Sequence, residues 1–221
     1  MLDDTPLVKR AYNLGLKIVP NMLGLTAEQI EYYEQHLSEI PDALARGFVV
    51  PPKFALLCDL GVIKVTDDYD HATALKTFGE KNRKKFYYYN EALTDVNFAN
   101  PTRVLKPGDK LWARAFAQVV GGTTTSIERM DFLRSQNAVF VGAQGASLVF
   151  EQKHDQLPKG KWYASFDEKE RLWVDAGGDH GVPAVGAHSV GDFDFSLGRF
   201  ERDWLRGRAF FCFSDEKPLE D

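Results

Sequence analysis

The chain has 221 residues, with 27 Lys plus Arg against 32 Asp plus Glu and a formal net charge of −5. This length allows one large domain or two small ones, and apolar and charged fractions of 44% and 27% exclude extended disorder. The acidic balance argues against nucleic acid as the main partner. The N-terminal MLDDTPLVKRAY lacks the apolar core of a signal peptide, and no apolar run is long enough to cross a bilayer. A cytoplasmic protein without membrane insertion is expected. Cys58 and Cys212 are too few and too far apart for a disulfide framework or a CxxC zinc site, so both are expected as buried free thiols.

Residues 1–100 form a helix-rich N-terminal region by pattern, either packed on the domain that follows or part of it. Thr26-x-x-Gln29 is a capping box, followed by Ile30, Tyr33 and Leu37 at helical spacing. Pro41 stops that helix and opens a short second one closed at Gly47, and residues 48–50 are extended. Residues 54–60 form an apolar run that ends at Gly61, and residues 62–65 read as a strand. Asp70 is placed to cap a helix running to about Arg83, with Asp67 and Asp68 before it and Lys81, Lys84 and Lys85 at its end, as the helix dipole favours. That acid cluster lacks the spacing and glycine of a calcium loop. The interleaved bases and aromatics from Lys84 to Tyr89 invite a nucleic-acid reading, against which stands the plainer one of a helix end entering an aromatic strand.

The turn-rich passage from Asn100-Pro101 to Asp109 is the best boundary candidate, giving a second domain over residues 101–221. A strand over 111–120 carries Trp112, Phe116 and Val120 on one face. Thr125-x-x-Glu128 is a second capping box, opening a helix with Ile127, Met130, Leu133 and Arg134. Gly142 and Gly145 bound a turn before a helix over about 146–156. Residues 162–166 and 172–174 are short strands, and residues 209–213 are the strongest strand of the chain.

The stretch 173–213 is the informative one. Bulky apolar residues recur in it (Trp173, Val182-Pro183, Phe193, Leu197, Phe200, Trp204), and residues of no common chemistry lie between them. A catalytic loop would converge a few reactive groups, and a plain core strand would keep period two; the stretch shows neither pattern. It reads instead as an anchored scaffold for arbitrary side chains. The candidate display positions are Val174, Ala176, Asp179, Gly181, Ala184, Gly186, His188, Asp192, Asp194, Ser196, Arg199, Arg202, Leu205, Arg206 and Arg208. There is no GxGxxG, P-loop, HExxH, GxSxG or CxxC motif, so no catalytic residue, metal site or cofactor is assigned. His180 and His188, close to Asp179 and Asp192, make a metal or acid–base pair conceivable, although aspartates in a glycine-rich stretch are more often turn formers.

The order strand, two helices, short strands, long irregular segment and terminal aromatic strand resembles the C-type lectin fold. The resemblance implies an α+β domain of small mixed or antiparallel sheets whose first and last strands pair, here residues 111–120 with 209–213. The calcium-ligating triplet of sugar-binding lectins falls on Val182-Pro183-Ala184, which has no ligating side chain, and Trp204 is followed by Leu205-Arg206. The chain is more similar to the variable proteins of diversity-generating retroelements, through LKPGDKLWARAF, GAQGASLVFEQ and AFFCFSDE. In those systems a reverse transcriptase randomises template adenines, and the diversified AAC or AAT codons cannot reach Lys, Glu, Gln, Met or Trp. Residues 175–210 contain no Lys, Gln or Met, and only Glu201 and Trp204 of the other two types. The resemblance implies a non-catalytic binding protein whose variable segment, residues 174–208, meets diverse ligands, in the main proteins. The alternatives are a formylglycine-generating type of oxidase, which needs a pair of cysteines near the chain end where only Cys212 stands, and a surface or phage protein with one fixed partner.

Overall fold

The structure is a computed structural model, and it describes residues 25–40, 43 and 52–217. The helix expected after Pro41 and the extended residues 48–50 lie outside them. The chain divides into two compact units between Pro52 and Lys53. In the first unit, helix α1 (Ala27–Gln35) starts at Thr26, whose hydroxyl accepts the Gln29 N–H while the Gln29 side chain accepts the Thr26 N–H, so the capping box forms as expected. Tyr33, Ile40 and Ala43 form a small buried cluster there.

The second unit is α+β, with one large mixed sheet. Its strands are β1 (Phe54–Lys64), β2 (Phe86–Tyr89), β3 (Lys110–Gln118), β5 (Lys161–Ala164), β6 (Trp173–Val174), β7 (His180–Ala187), β8 (Phe193–Arg199) and β10 (Arg208–Ser214). The order across the sheet is β1-β3-β10-β5-β7-β8-β2, with β6 on β7. The β10–β5 and β2–β8 pairs are parallel and the others antiparallel. A separate ribbon joins β4 (Thr123–Thr124) to β9 (Trp204–Leu205). Helices α2 (Ala74–Asn82), α3 (Ser126–Ser135) and α4 (Gly142–Lys153) complete the unit. The expected pairing of the strand near 111–120 with the terminal strand is present, with Ala209 opposite Ala117 and Phe213 opposite Ala113.

Four expectations need correction. The boundary does not fall at Pro101, because β1 pairs along its length with β3 and β2 pairs with β8, which places residues 53–100 in the same compact unit as the sheet. In place of several small sheets there is one large mixed sheet, with the β4–β9 ribbon apart from it. The long irregular segment is regular over 180–199, where β7 and β8 form an antiparallel hairpin inside the sheet. Its period-two pattern is hidden because Gly181, Pro183, Ala184, Gly186 and Gly198 put small residues on both faces. Helix α4 starts at Gly142, not near 146, because its glycines serve close packing. A Cβ on Gly145 would lie 2.4 Å from Val141 Cγ2 and 3.0 Å from the Phe213 ring.

Local chemistry explains the helix ends. Thr125 and Glu128 form the second capping box at α3. Asp70 caps a short 3-10 turn over His71–Thr73, and the first N–H groups of α2, at Leu75 and Lys76, donate to the Asp95 carboxylate at 2.7 and 3.0 Å. Lys84 and Lys85 end a helical turn, and Phe86 enters strand β2, which is the plainer of the two readings of that stretch. Both thiols are free, on β1 and β10 with β3 between them. No helix among the described residues is long and apolar enough to cross a membrane.

Candidate functional site

Cross-strand register sorts the side chains of the sheet onto two faces. Tyr163, Val185, Phe195 and Phe211 point to the face covered by α4. The opposite face carries a row of Arg208, Trp162, Gly186 and Asp194, each facing the next across β10, β5, β7 and β8. A second row runs through Phe210, Ala164, Ala184 and Ser196. Helix α3 and the excursion over residues 200–207 cover one end of this face with Phe200 and Trp204. Beside that cover lies an open cavity of about 340 Å³.

The cavity brings together Ala184, Ser196, Arg199, Arg202, Leu205 and Arg208 from the sequence-predicted set. Trp162, Asp203 and Trp204 complete much of its wall. Val174, Ala176 and Asp192 are exposed, and Asp179 and His188 half-buried, but none of them lines the cavity, and neither does exposed Arg206. Gly181, Ala184, Gly186 and Asp194 are buried, which disagrees with outward display. The reason is aromatic cover: a Cβ on Gly186 would lie 3.2 Å from the Trp162 ring, and one on Gly181 would lie 3.2 Å from Trp173. The predicted anchors Val182, Pro183, Phe193, Phe200 and Trp204 are buried, and Trp173 and Leu197 are half-buried against the core.

The excursion is pinned from α3. Arg129 has 0% exposure, and its guanidinium donates to Thr124 Oγ1 at 2.8 Å and to the carbonyls of Arg208 at 2.7 Å and Leu205 at 3.5 Å. It also lies 5.4 Å from the centre of the Trp204 ring and 5.1 Å from that of Phe210. Burial lowers the Arg129 pKa to about 10, with Glu128 acting in the other direction. The Trp204 Nε1–H donates to Ser126 Oγ at 2.7 Å, and that hydroxyl donates to the Phe200 carbonyl at 2.7 Å. At the other side of the excursion, Glu201 accepts the His180 N–H at 3.0 Å and faces His180 Nδ1 at 2.6 Å and Lys169 Nζ at 3.2 Å. Burial works against its charge, but these donors outweigh it and hold the Glu201 carboxyl down at about 2.

The histidines do not converge. His180 pairs with Glu201 rather than Asp179, and His188 Nε2 donates to Asp194 Oδ2 at 2.7 Å rather than meeting the Asp192 carboxylate. Among the described residues, no group of three His, Cys, Asp or Glu is placed to hold a metal. Asp194 Oδ1 is buried without a hydrogen-bond partner.

Sequence reasoning missed Trp162, Asp203 and Arg129. Trp162 lies outside residues 173–213, on the strand before them. Arg129 is charged, the usual mark of a surface residue, yet Ser126, Arg129, Met130 and Leu133 share one helical face and are all buried, while Ile127 points out at 61% exposure. No protein-family model, no curated protein and no solved structure matches this chain.

Proposed function

We propose that the chain is a non-catalytic ligand-binding protein of the kind that diversity-generating retroelements vary, built on a C-type-lectin-like scaffold. One observation carries this reading: Ser196, Leu205 and the three arginines Arg199, Arg202 and Arg208 converge on one cavity, between anchors that are themselves buried. A protein that tolerates change at its binding surface needs its stability held elsewhere, since exposed substitutions away from caps and packing change stability by less than about 0.5 kcal/mol. Here Arg129, Ser126, Trp204 and Phe200 hold the excursion without using the exposed side chains of Arg202, Leu205 or Arg206. The pairing of β3 with β10 and the two helices between them support the scaffold. The absence of Lys, Gln and Met over residues 175–210 supports the diversification. The display set narrows to residues that reach the cavity or solvent, without Gly181, Gly186 and Asp194.

The deciding experiment is to sequence the locus. A reverse transcriptase gene and a near-copy of the gene's own 3′ end, differing almost only at template adenines, are expected beside it. A locus with neither overturns the diversification.

A further inference from the structure

Resting on the ligand-binding reading above, we propose that the cavity takes a carboxylate-bearing segment of a partner protein, an Asp- or Glu-rich stretch recognised by the guanidinium groups of Arg202 and Arg208. Three arginines and one acid, Asp203, line this cavity. Arg199 is already engaged, with its Nη1 2.8 Å from Asp179 Oδ2. Asp203 accepts a hydrogen bond from the Thr123 hydroxyl at 3.0 Å. Among the described residues, Arg202 and Arg208 have no carboxylate partner, and neither side chain makes a hydrogen bond. The site is therefore locally cationic on a chain of net charge −5.

Arg208 is the more telling of the two. Its guanidinium lies 4.3 Å from the centre of the Trp162 ring, which orients the planar fork without using its N–H donors. It is half-buried, and burial pulls its pKa below the ordinary value with no acid to offset the loss of water. A half-buried cation without a counter-charge is completed by an incoming carboxylate, which a guanidinium binds through two parallel N–H···O bonds. Trp162 and Trp204 supply apolar wall for the rest of the segment. A volume of about 340 Å³ fits a few side chains, not a folded surface. Nucleic acid presents the same sign of charge, but as a dense polyanion it meets the repulsion of the whole acidic chain.

The test is selection from a random peptide library displayed on phage, with the full-length protein immobilised. Enrichment of Asp- and Glu-containing peptides is expected. A synthetic copy of an enriched peptide should bind about ten-fold more weakly to R202Q/R208Q and lose affinity between about 50 and about 200 mM salt. Arg171→Gln removes the same charge at an exposed position outside both the cavity wall and the display set, and should leave binding unchanged. If the double variant fails to fold, as read from its far-ultraviolet spectrum and melting curve, the single variant Arg202→Gln serves, because that side chain is exposed. Selection without an acidic bias overturns the proposal, as does an equal loss on Arg171→Gln. So does displacement of the peptide by inorganic phosphate or a single-stranded oligonucleotide at equal concentration. A retroelement locus with no acidic bias removes this inference alone, and acidic binding without such a locus removes the diversification alone.

Discussion

The two faces of the central sheet are closed by different means. On one, α4 is buried on every residue from 142 to 150, a helix covered all round. It lies against the sheet, and Gln144 Nε2 donates to the Phe98 carbonyl at 2.9 Å, which ties the overlying segment down. Small residues let that helix approach until no room remains. On the other face, α3 and the 200–207 excursion close only one end, and polar groups of Arg129 and Ser126 hold the cover in place. The difference teaches that tight helix packing removes a site, whereas a loop tethered by its backbone carbonyls leaves an open wall of exposed side chains.

The largest expected effect breaks the sealed face. Gly145→Leu forces atoms into Val141 and Phe213 and should cost about 3 kcal/mol or more, read as a lost or strongly lowered denaturation midpoint. Next comes the tether of the open face. Arg129→Ala leaves the carbonyls of Leu205 and Arg208 without their donor and should cost about 2–3 kcal/mol. Hydrogen exchange should then quicken over residues 200–208 while α4 stays protected; uniform exchange would show that the two faces do not differ in this way.

The faces should also answer pH with opposite sign. Asp167 lies beside Gly142 at the start of α4, and burial raises its carboxyl to about 6, overriding hydrogen bonds from Thr102 and the Glu168 N–H. Its protonated form is favoured by folding, so this contribution is full below the ordinary value of 3.8 and is lost as pH rises through about 6. Asp167→Asn should flatten stability over that window. Glu201, held at about 2, contributes above its ordinary value of 4.5, and that is lost as pH falls towards about 2. Glu201→Gln should remove this acid sensitivity, with a small amplitude of about 1 kcal/mol or less because solvent screens the group. Chemical denaturation across pH, compared between each variant and the parent, separates the two. The smallest effect is expected at the exposed wall: Arg202→Ala with Leu205→Ala should shift stability by less than about 0.5 kcal/mol. A larger loss would mean that those side chains hold the fold, not the ligand.

Wherever a signal is local, the sequence was legible. Both capping boxes, Thr26 with Gln29 and Thr125 with Glu128, form as their spacing requires, because the partners are three residues apart on one turn. The strands near 111–120 and 209–213 were also readable, as were the buried anchors Val182, Phe200 and Trp204, whereas the pairing of those two strands was implied by the resemblance alone. The tertiary structure alone decided the rest. Whether Gly181, Gly186 and Gly198 belong to a loop or a sheet depends on Trp173, Trp162 and Trp204 arriving over them from other strands. The placement of β1 beside β3 is likewise a long-range pairing with no trace in local composition. Asp95 caps a helix 20 residues before it, and Arg129 meets carbonyls 76 and 79 residues away. Periodicity reports which residues can share a face within one element, while hydrogen-bond partners and ring contacts across elements exist only once the chain has folded.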